Sequence, residues 1–206
     1  MWQHPFPKST ITSRFGEMKP PRTSPHRGTD YAPGAKELIP AVTDGKVTRI
    51  FYSDCLGWIC EIKSDEHGLY IGHSHLYCNK HDSIDCDGSG HEDGSTCMKS
   101  LKVGDRVKIG DWVGRVGDSG TCSRGAHLHI SVSKQSDPRY AKVFDLEKFI
   151  DAKIKKQERV AAAKARTRAV KAKLPKPTLN PSKRNTRPKG TIPKTGAICK
   201  CCNRPL

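Results

Sequence analysis

Charged and aromatic residues divide this sequence into two parts near residue 150. Residues 1–150 contain 20 Lys and Arg against 19 Asp and Glu, whereas residues 151–206 contain 17 against 2. No aromatic residue follows Phe149, and all nine His lie before residue 141. A polycationic segment without aromatic residues is not expected to bury a core, so the fold and its chemistry are expected within residues 1–150.

The first part is predicted to be mainly β, in the form of a small antiparallel β-sheet domain. Its candidate strands are short runs rich in β-branched and aromatic residues, at 39–42, 46–52, 58–62, 69–76, 106–109, 112–116 and 127–133. Three Gly-Asp pairs lie between or beside these runs and are interpreted as tight turns, at Gly104, Gly110 and Gly117. Residues 78–98 interrupt the series and are predicted to be a loop insertion.

The second part is predicted to begin as a helix and to continue as a disordered tail. Asp145 is a candidate N-cap, and apolar residues follow it at helical spacing: Leu146, Phe149, Ile150 and Ile154. Residues 151–174 extend this pattern as a basic helix, which Pro175 ends. Residues 175–195 are rich in Pro and Lys and are expected to form a disordered basic linker. Residues 196–206 are treated as a Cys-rich C-terminal knuckle.

His26 and Asp30 form the first candidate metal motif. Their side chains would lie about 13 Å apart if the segment were fully extended, which is too far to share one ion. Gly28 permits a local bend that would bring both side chains to one zinc ion, whose ligand bonds are only about 2 Å long. This short pattern by itself is weak evidence for a metal.

Two further pairs of histidines strengthen the metal hypothesis. His127 and His129 lie on one predicted strand and therefore face the same side, and His73 and His75 repeat that spacing on another. A single pair is more often hydrogen-bonded than metal-bound, but three such groups in one small β domain favour a site. Two imidazoles and one carboxylate would leave a zinc ion with an open fourth position, which is typical of catalytic zinc.

Ordered motifs across this part resemble the M23 zinc endopeptidases of the lysostaphin and LytM type, over about residues 5–150. The motifs are ITSRFG at 11–16, HRGTDYA at 26–32, IPA and DGKV at 39–47, SHL at 74–76, VGDRV at 103–107, VGDSG at 116–120 and AHLH at 126–129. The resemblance implies a lysostaphin-type fold, similar to a duplicated hybrid motif, whose groove holds one Zn²⁺ per catalytic domain.

The same resemblance implies roles for individual residues. The residues that match the metal ligands are His26, Asp30 and His129. The residues that match the two catalytic histidines are His75 and His127. His73 is the alternative to His75, because both would face the same side of an extended strand, but Leu76 after His75 fits the family motif better.

The resemblance implies a zinc-dependent endopeptidase that cleaves peptide crosslinks or bridges of bacterial peptidoglycan. The sequence contains no apolar run typical of a signal peptide. We therefore expect a phage lysis or virion-associated enzyme, made in the host cytoplasm and acting on the wall after release, or carried in a virion. The alternatives are a non-catalytic peptidoglycan-binding or activator module of the same fold, and a nucleic-acid binder built around the tail. Both a D-alanyl to diamino acid crosslink and a glycine bridge stay open as the scissile bond.

The nine cysteines indicate a protein that works in an oxidising exterior. Cys55 and Cys60 flank a short segment and are candidates to close a hairpin. The insertion 78–98 is expected to be braced by disulfides, with a second metal site as the alternative, and to form one wall of the groove. Cys199 and Cys202 have the spacing of half a zinc ribbon, so a second chain or a disulfide would have to complete the site. The other interpretation of these two cysteines is a loose, redox-sensitive terminus.

The polycationic residues 151–206, called the basic tail below, are predicted to adhere to polyanions by counterion release. Candidate partners are an anionic wall polymer, an anionic lipid surface or nucleic acid, bound without sequence specificity. The absence of aromatic residues after Phe149 removes the stacking platforms that base recognition commonly uses. For an enzyme acting on cell walls, an acidic envelope polymer is the simplest partner.

Overall fold

The computed structural model describes residues 1–20, 22–77, 101–137 and 139–173. The chain divides into two compact units, Met1–Ala165 and Arg166–Leu206. The insertion predicted at 78–98, the linker predicted at 175–195 and the knuckle with Cys199 and Cys202 lie outside the described residues. Within the described ranges, no helix combines the length and the hydropathy that a membrane-spanning segment requires.

Most described elements are short strands, and the only long helix among them is the last element. In chain order, the elements are a 3-10 turn Lys8–Thr10, β1 Ile11–Ser13, β2 Thr29–Tyr31, β3 Leu38–Pro40, β4 Gly45–Ser53, β5 Gly57–Ser64, β6 Tyr70–Ser74, β7 Arg106–Val107, β8 Trp112–Arg115, β9 Leu128–Ser133, β10 Val143–Phe144 and α1 Leu146–Lys173. The predicted mainly β fold is confirmed.

The main sheet has the strand order β1-β2-β9-β6-β5-β4-β7, with β10 also pairing with β9. Every pairing in it is antiparallel. Strands β3 and β8 form a separate antiparallel pair. Because β9 lies between β2 and β6, segments that are about a hundred residues apart in sequence become neighbours in the sheet. This order brings the three histidine-bearing segments together.

Alternation along β9 separates the core from the opposite face of the sheet. Leu128, Ile130 and Val132 point into the hydrophobic core and are almost completely buried. His129 and Ser131, which alternate with them, therefore point to the other face. The core face continues on the neighbouring strands with large apolar side chains, including Trp58, Ile62 and Ile71. Burial of one face fixes the register, so the functional residues of the other face are fixed as well.

Two of the three Gly-Asp pairs form the tight turns that the sequence predicts. Gly104 and Gly110 have φ values of 101° and 90°, which favour glycine. The carboxylates of Asp105 and Asp111 each accept a hydrogen bond of 2.8 Å from a backbone N–H three residues earlier. The prediction of a turn is wrong for Gly117, which lies in a β-bridge with His127.

The helix α1 begins where the sequence predicts. The backbone N–H of Lys148 donates to Asp145 Oδ1 at 3.0 Å, which confirms the N-cap. Leu146 and Ile150 are buried in the core. Asp151 accepts hydrogen bonds from Lys8 at 2.5 Å and from His4 at 2.9 Å. These contacts fix the first turns of α1, whereas residues 158–172 are exposed.

The cysteine pairing differs from the one considered from the sequence. Cys55 forms a disulfide with Cys122, and Cys60 is a buried free thiol. Closure of a hairpin by Cys55 and Cys60 is therefore wrong. The reason is positional: Cys60 lies on β5 among core residues, while Cys55 lies in the turn between β4 and β5, beside the loop that carries Cys122.

Candidate metal centre

Three buried side chains converge where β2 meets β9. Asp30 on β2 and His129 on β9 are directly opposite residues of the antiparallel pair. His129 Nδ1 lies 2.9 Å from Asp30 Oδ1, and His26 Nε2 lies 3.1 Å from both of these atoms. All three residues are at most 8% exposed. Among the described residues, this is the one group of three potential ligands close enough to hold a metal ion.

The spacing and chemistry of these three atoms fit zinc. In a tetrahedral zinc site with bonds of about 2.0–2.1 Å, the ligand atoms lie roughly 3.3 Å apart. The observed separations of 2.9 to 3.1 Å approach that value. Two imidazole nitrogens and one carboxylate oxygen leave one tetrahedral position for solvent or substrate.

The protonation states of the cluster also suit a metal. Burial raises the pKa of Asp30, but its polar contacts with the His129 and His26 imidazoles outweigh this effect, so the pKa lies well below its usual range and the carboxylate stays ionised. Burial lowers the pKa of His129 despite its hydrogen bond to Asp30, which keeps the imidazole neutral. Neutral imidazole and ionised carboxylate are the forms that bind metals.

His26 is oriented by the loop that precedes β2. Its Nδ1–H donates to the carbonyl oxygen of Arg14 at 3.0 Å, which leaves the lone pair of Nε2 directed at His129 and Asp30. The loop itself is tied to the turn at Gly16 and Glu17 by two backbone hydrogen bonds. The bend expected between His26 and Asp30 occurs at residues 27–28, immediately before β2.

Gly28 has a second role that the sequence does not reveal. A Cβ atom at this position would lie 2.6 Å from Cε1 and Nε2 of the His129 ring and 2.6 Å from the carbonyl oxygen of Ile130. Real side chains do not tolerate such contacts. Gly28 is therefore required because the His129 ring packs directly against the backbone of the preceding segment.

His75 lies next to this cluster, just after the end of β6. Its Nδ1–H donates to the carbonyl oxygen of Ser119 at 2.8 Å, so Nε2 is left as an acceptor. Burial, and to a smaller extent the neighbouring His129 and His127, lowers the pKa of His75 to about 3. The His75 ring centroid lies 5.9 Å from that of His129. His75 is therefore a neutral imidazole held beside the candidate metal ligands.

His127 stands on the other side of His75. Their ring centroids are 4.6 Å apart. His127 Nδ1–H donates to the carbonyl oxygen of Gly125 at 2.8 Å, and His127 Nε2 lies 3.8 Å from Asp30 Oδ1. The structure thus brings together all five residues that the sequence singled out for metal binding and catalysis.

His73, the alternative to His75, lies on the opposite face of the sheet. It is the cross-strand partner of Cys60 and Ile130 and is fully buried on their face, with Nδ1–H donating to the carbonyl oxygen of Cys60 at 3.1 Å. His75 departs from strict alternation because its φ is 59°, in the left-handed region. The expectation that His73 and His75 face the same side is therefore wrong, and His73 cannot substitute for His75.

The three candidate ligands and both further histidines open onto one cavity, called the groove below, of about 410 Å³. The other lining residues are Arg22, Ser24, Pro25, Arg27, Ser53, Cys55, Leu56, Cys122, Ser131 and Arg139. The Cys55–Cys122 disulfide forms part of its wall. Thr121 and Cys122 also donate backbone hydrogen bonds to Asp54 and Cys55, at 2.6 and 3.1 Å. The loop that holds His75 through Ser119 is thereby attached to the β4–β5 turn.

Comparison with known proteins identifies the family. No protein-family model matches this sequence. Among solved structures, LytU is 30% identical with a TM-score of 0.54, and the match covers 74% of this chain and 91% of LytU. The chain belongs to the M23 peptidase family. The catalytic domain of the antimicrobial peptidase lysostaphin from Staphylococcus simulans shares the fold, with a TM-score of 0.52 and 18% identity over 68% of this chain and 91% of that domain.

In this M23 peptidase, Arg22 contacts the candidate ligand Asp30 from outside the cluster. Arg22 donates one hydrogen bond of 2.9 Å to Asp30 Oδ2 and another of 2.8 Å to Ser13 Oγ. Oδ2 is thereby occupied, while Oδ1 faces the two histidines. Arg22 lies in an irregular segment without periodicity or motif, so no sequence signal pointed to it.

Replacing Arg22 by glutamine is expected to weaken zinc binding by about 10- to 100-fold, the usual effect of losing a residue that orients a ligand. The carboxylate of Asp30 would lose its fixed orientation, although all three ligand atoms are kept. Competition with a chelator of known affinity measures the zinc dissociation constant. Arg115→Gln, which removes a guanidinium that contacts the Lys36 carbonyl instead, is the matched control. Equal zinc affinities for the two variants would show that Arg22 does not orient Asp30.

Proposed function

We propose that this M23 peptidase is a zinc-dependent endopeptidase that cleaves peptide crosslinks or bridges of bacterial peptidoglycan. The observation that carries the proposal is the convergence of His26, Asp30 and His129 within 3.1 Å of one another beside two further histidines. A peptidase site needs an electrophilic centre and a proton carrier within reach of one carbonyl. The groove offers residues for both.

His26, Asp30 and His129 would hold the zinc ion, and a bound ion would supply a Lewis acid with an open coordination position. His75 and His127 both keep Nδ1–H on backbone carbonyls, so both present Nε2 as an acceptor. The low pKa of His75 suits it to orient the attacking water by accepting a hydrogen bond.

His127, at the more exposed wall of the groove, is the group we assign to proton transfer. It takes a proton from the water whose oxygen bonds to the peptide carbonyl carbon. It then returns that proton to the leaving amine as the C–N bond breaks. The products are one new carboxylate and one new amine.

The direct test of the proposed function compares zinc-loaded and chelator-treated protein on purified peptidoglycan. We expect soluble fragments only with the zinc-loaded protein, and mass spectrometry of these fragments should show new peptide termini with intact glycan chains. His75→Gln and His127→Gln should bind zinc but lose turnover. Activity without metal, or fragments cut in the glycan, would contradict the proposal.

We also propose that the enzyme works outside the reducing cytoplasm, as a phage lysis or virion-associated enzyme would. The support is the Cys55–Cys122 disulfide in the wall of the groove, because disulfides persist in oxidising compartments. Purification from a reducing cytoplasm and from an oxidising periplasm, followed by thiol titration, tests this. Free Cys55 and Cys122 thiols in the periplasmic protein would contradict it.

Truncation after Ala165 is expected to weaken binding to anionic wall polymer. It removes 12 Lys and Arg and no acidic residue, while keeping the contacts of Asp151 with Lys8 and His4. Since each neutralised charge releases counterions, the dependence of log affinity on log salt concentration should also become flatter. Co-sedimentation with purified walls over a series of salt concentrations measures both. Unchanged affinity and slope would show that the basic tail does not contact the polymer.

A further inference from the structure

The groove is lined by more positive than negative side chains. Its guanidinium groups are those of Arg22, Arg27 and Arg139, and Asp30 is the one acidic residue among its lining residues in the described ranges. Arg22 is paired with Asp30. A zinc ion would add further positive charge. The groove therefore favours an anionic over a neutral substrate.

Arg139 is fixed in place at the groove. Its Nε and one terminal nitrogen donate to the two oxygens of Asp137, at 2.8 and 2.5 Å. Arg49 donates to the same carboxylate at 2.8 Å, so two guanidinium groups share this one carboxylate. Both guanidinium groups also lie over the ring of Phe51, at 4.1 and 4.8 Å from its centroid. Because these contacts already hold the Arg139 side chain in one orientation, a ligand that binds its guanidinium costs little further side-chain entropy.

The second acidic residue nearby, Glu61, is not one of the residues that line the groove. It is completely buried and accepts hydrogen bonds from three groups: the hydroxyls of Thr48 and Ser136 and the backbone N–H of Asp137. Glu61 thus anchors the segment that precedes Arg139. Arg139 lines the groove, whereas Glu61 and Asp137 do not.

Ser131 is a second feature of the groove that points to ligand binding. It lies on β9 two residues after His129, lines the groove and is only 3% exposed. Its hydroxyl has no hydrogen-bond partner among the described residues. Buried hydroxyl groups are nearly always hydrogen-bonded, so the Ser131 hydroxyl is available to an acceptor that enters the groove. A substrate oxygen in the groove would meet that requirement.

We propose that Arg139 and Ser131 form a carboxylate-binding subsite on the floor of the groove. The substrate class that it selects is a crosslinked stem peptide with free carboxylates, in preference to an amidated stem peptide or a neutral glycine bridge. A guanidinium donates to a carboxylate through two parallel N–H groups, and the serine hydroxyl adds a third donor. The preference rests on the proposed peptidase function, while the subsite itself is a property of the groove.

The test uses two matched pairs of peptidoglycan peptides that differ only in whether the stem carboxylates are free or amidated. One pair is crosslinked and reports kcat/KM. The other is uncrosslinked and reports the dissociation constant by calorimetry, without turnover. We expect the zinc-loaded full chain to prefer the acidic peptide by about tenfold or more in both measurements, the size of one charge-assisted hydrogen bond.

Substitutions at Arg139 separate its role from general electrostatics. R139Q should abolish the preference, R139K should restore part of it because lysine keeps the charge without the planar fork, and S131A should reduce it. R106Q is the matched control, since Arg106 also pairs with an aspartate, Asp65, but lies outside the groove. It should keep the full preference. The thermal unfolding of each variant shows whether it is folded. If R139Q does not fold, R139K still tests the role of Arg139.

The outcomes distinguish the subsite from the peptidase function. Equal binding of acidic and amidated peptides, or an R139Q protein that still prefers the acidic peptide, overturns the subsite. Cleavage of both crosslinked peptides at equal rates overturns the subsite and leaves the peptidase function intact. Preferential binding that depends on Arg139, without cleavage of either crosslinked peptide, supports the subsite and contradicts the peptidase function.

Discussion

Replacing His129 by alanine is expected to abolish zinc binding and to lower the rate of peptidoglycan cleavage by at least about 10³-fold. His129 Nδ1 lies within 3.1 Å of both other candidate ligand atoms, so its loss leaves only His26 and Asp30. Two protein ligands do not hold zinc firmly. Elemental analysis of the purified variant measures zinc per chain, and chromatography of released fragments measures the rate.

His67→Ala is the control for this substitution. His67 is a histidine outside the groove, where it contacts Glu66 and packs near Trp2. This variant should retain one zinc per chain and the cleavage rate of the original protein. A His129→Ala protein with full zinc and full activity would place the metal centre elsewhere in the chain.

The sequence predicted which residues belong to the candidate site better than it predicted which way their side chains face. Period-2 alternation correctly placed His127 and His129 together, because the extended backbone at the His127 bridge continues directly into β9, which has a buried face. The same rule failed for His73 and His75, because the strand ends at Ser74 and His75 adopts a φ of 59°. Alternation holds only while the backbone stays extended, and a left-handed residue reverses the facing of its own side chain.

Features that depend on distant pairing could not be read from the sequence. Cys55 and Cys122 are 67 residues apart, and only the order of strands in the sheet brings their loops together. Arg22 lies in an irregular segment, so its hydrogen bonds to Asp30 and Ser13 could not be predicted. The short strands β1, β2 and β10 were also missed, since two or three residues show no period. They are strands because β9 and its neighbours offer hydrogen-bonding edges to pair with.

Replacing Gly28 by alanine is expected to weaken zinc binding and catalysis by at least about 10²-fold, although alanine is the smallest possible addition. The new Cβ would lie 2.6 Å from the His129 ring and from the carbonyl oxygen of Ile130, so both β9 and the ring must move away. A displacement of about 1 Å at a ligand is enough for such a loss. Chelator competition measures the zinc dissociation constant, and circular dichroism verifies that the sheet is retained.

Gly114→Ala distinguishes this local effect from a general intolerance of alanine. Gly114 lies on β8 and, like Gly28, has no positive φ, but the nearest atom to its added Cβ is the end of the Leu76 side chain, at 3.3 Å. A flexible side chain can give way by a few tenths of an ångström, whereas the His129 ring is held by Asp30 and the strand backbone is held by its hydrogen bonds. Gly114→Ala should therefore keep its zinc affinity. Similar zinc affinities for the two alanine variants would mean that His129 does not depend on the space left by Gly28.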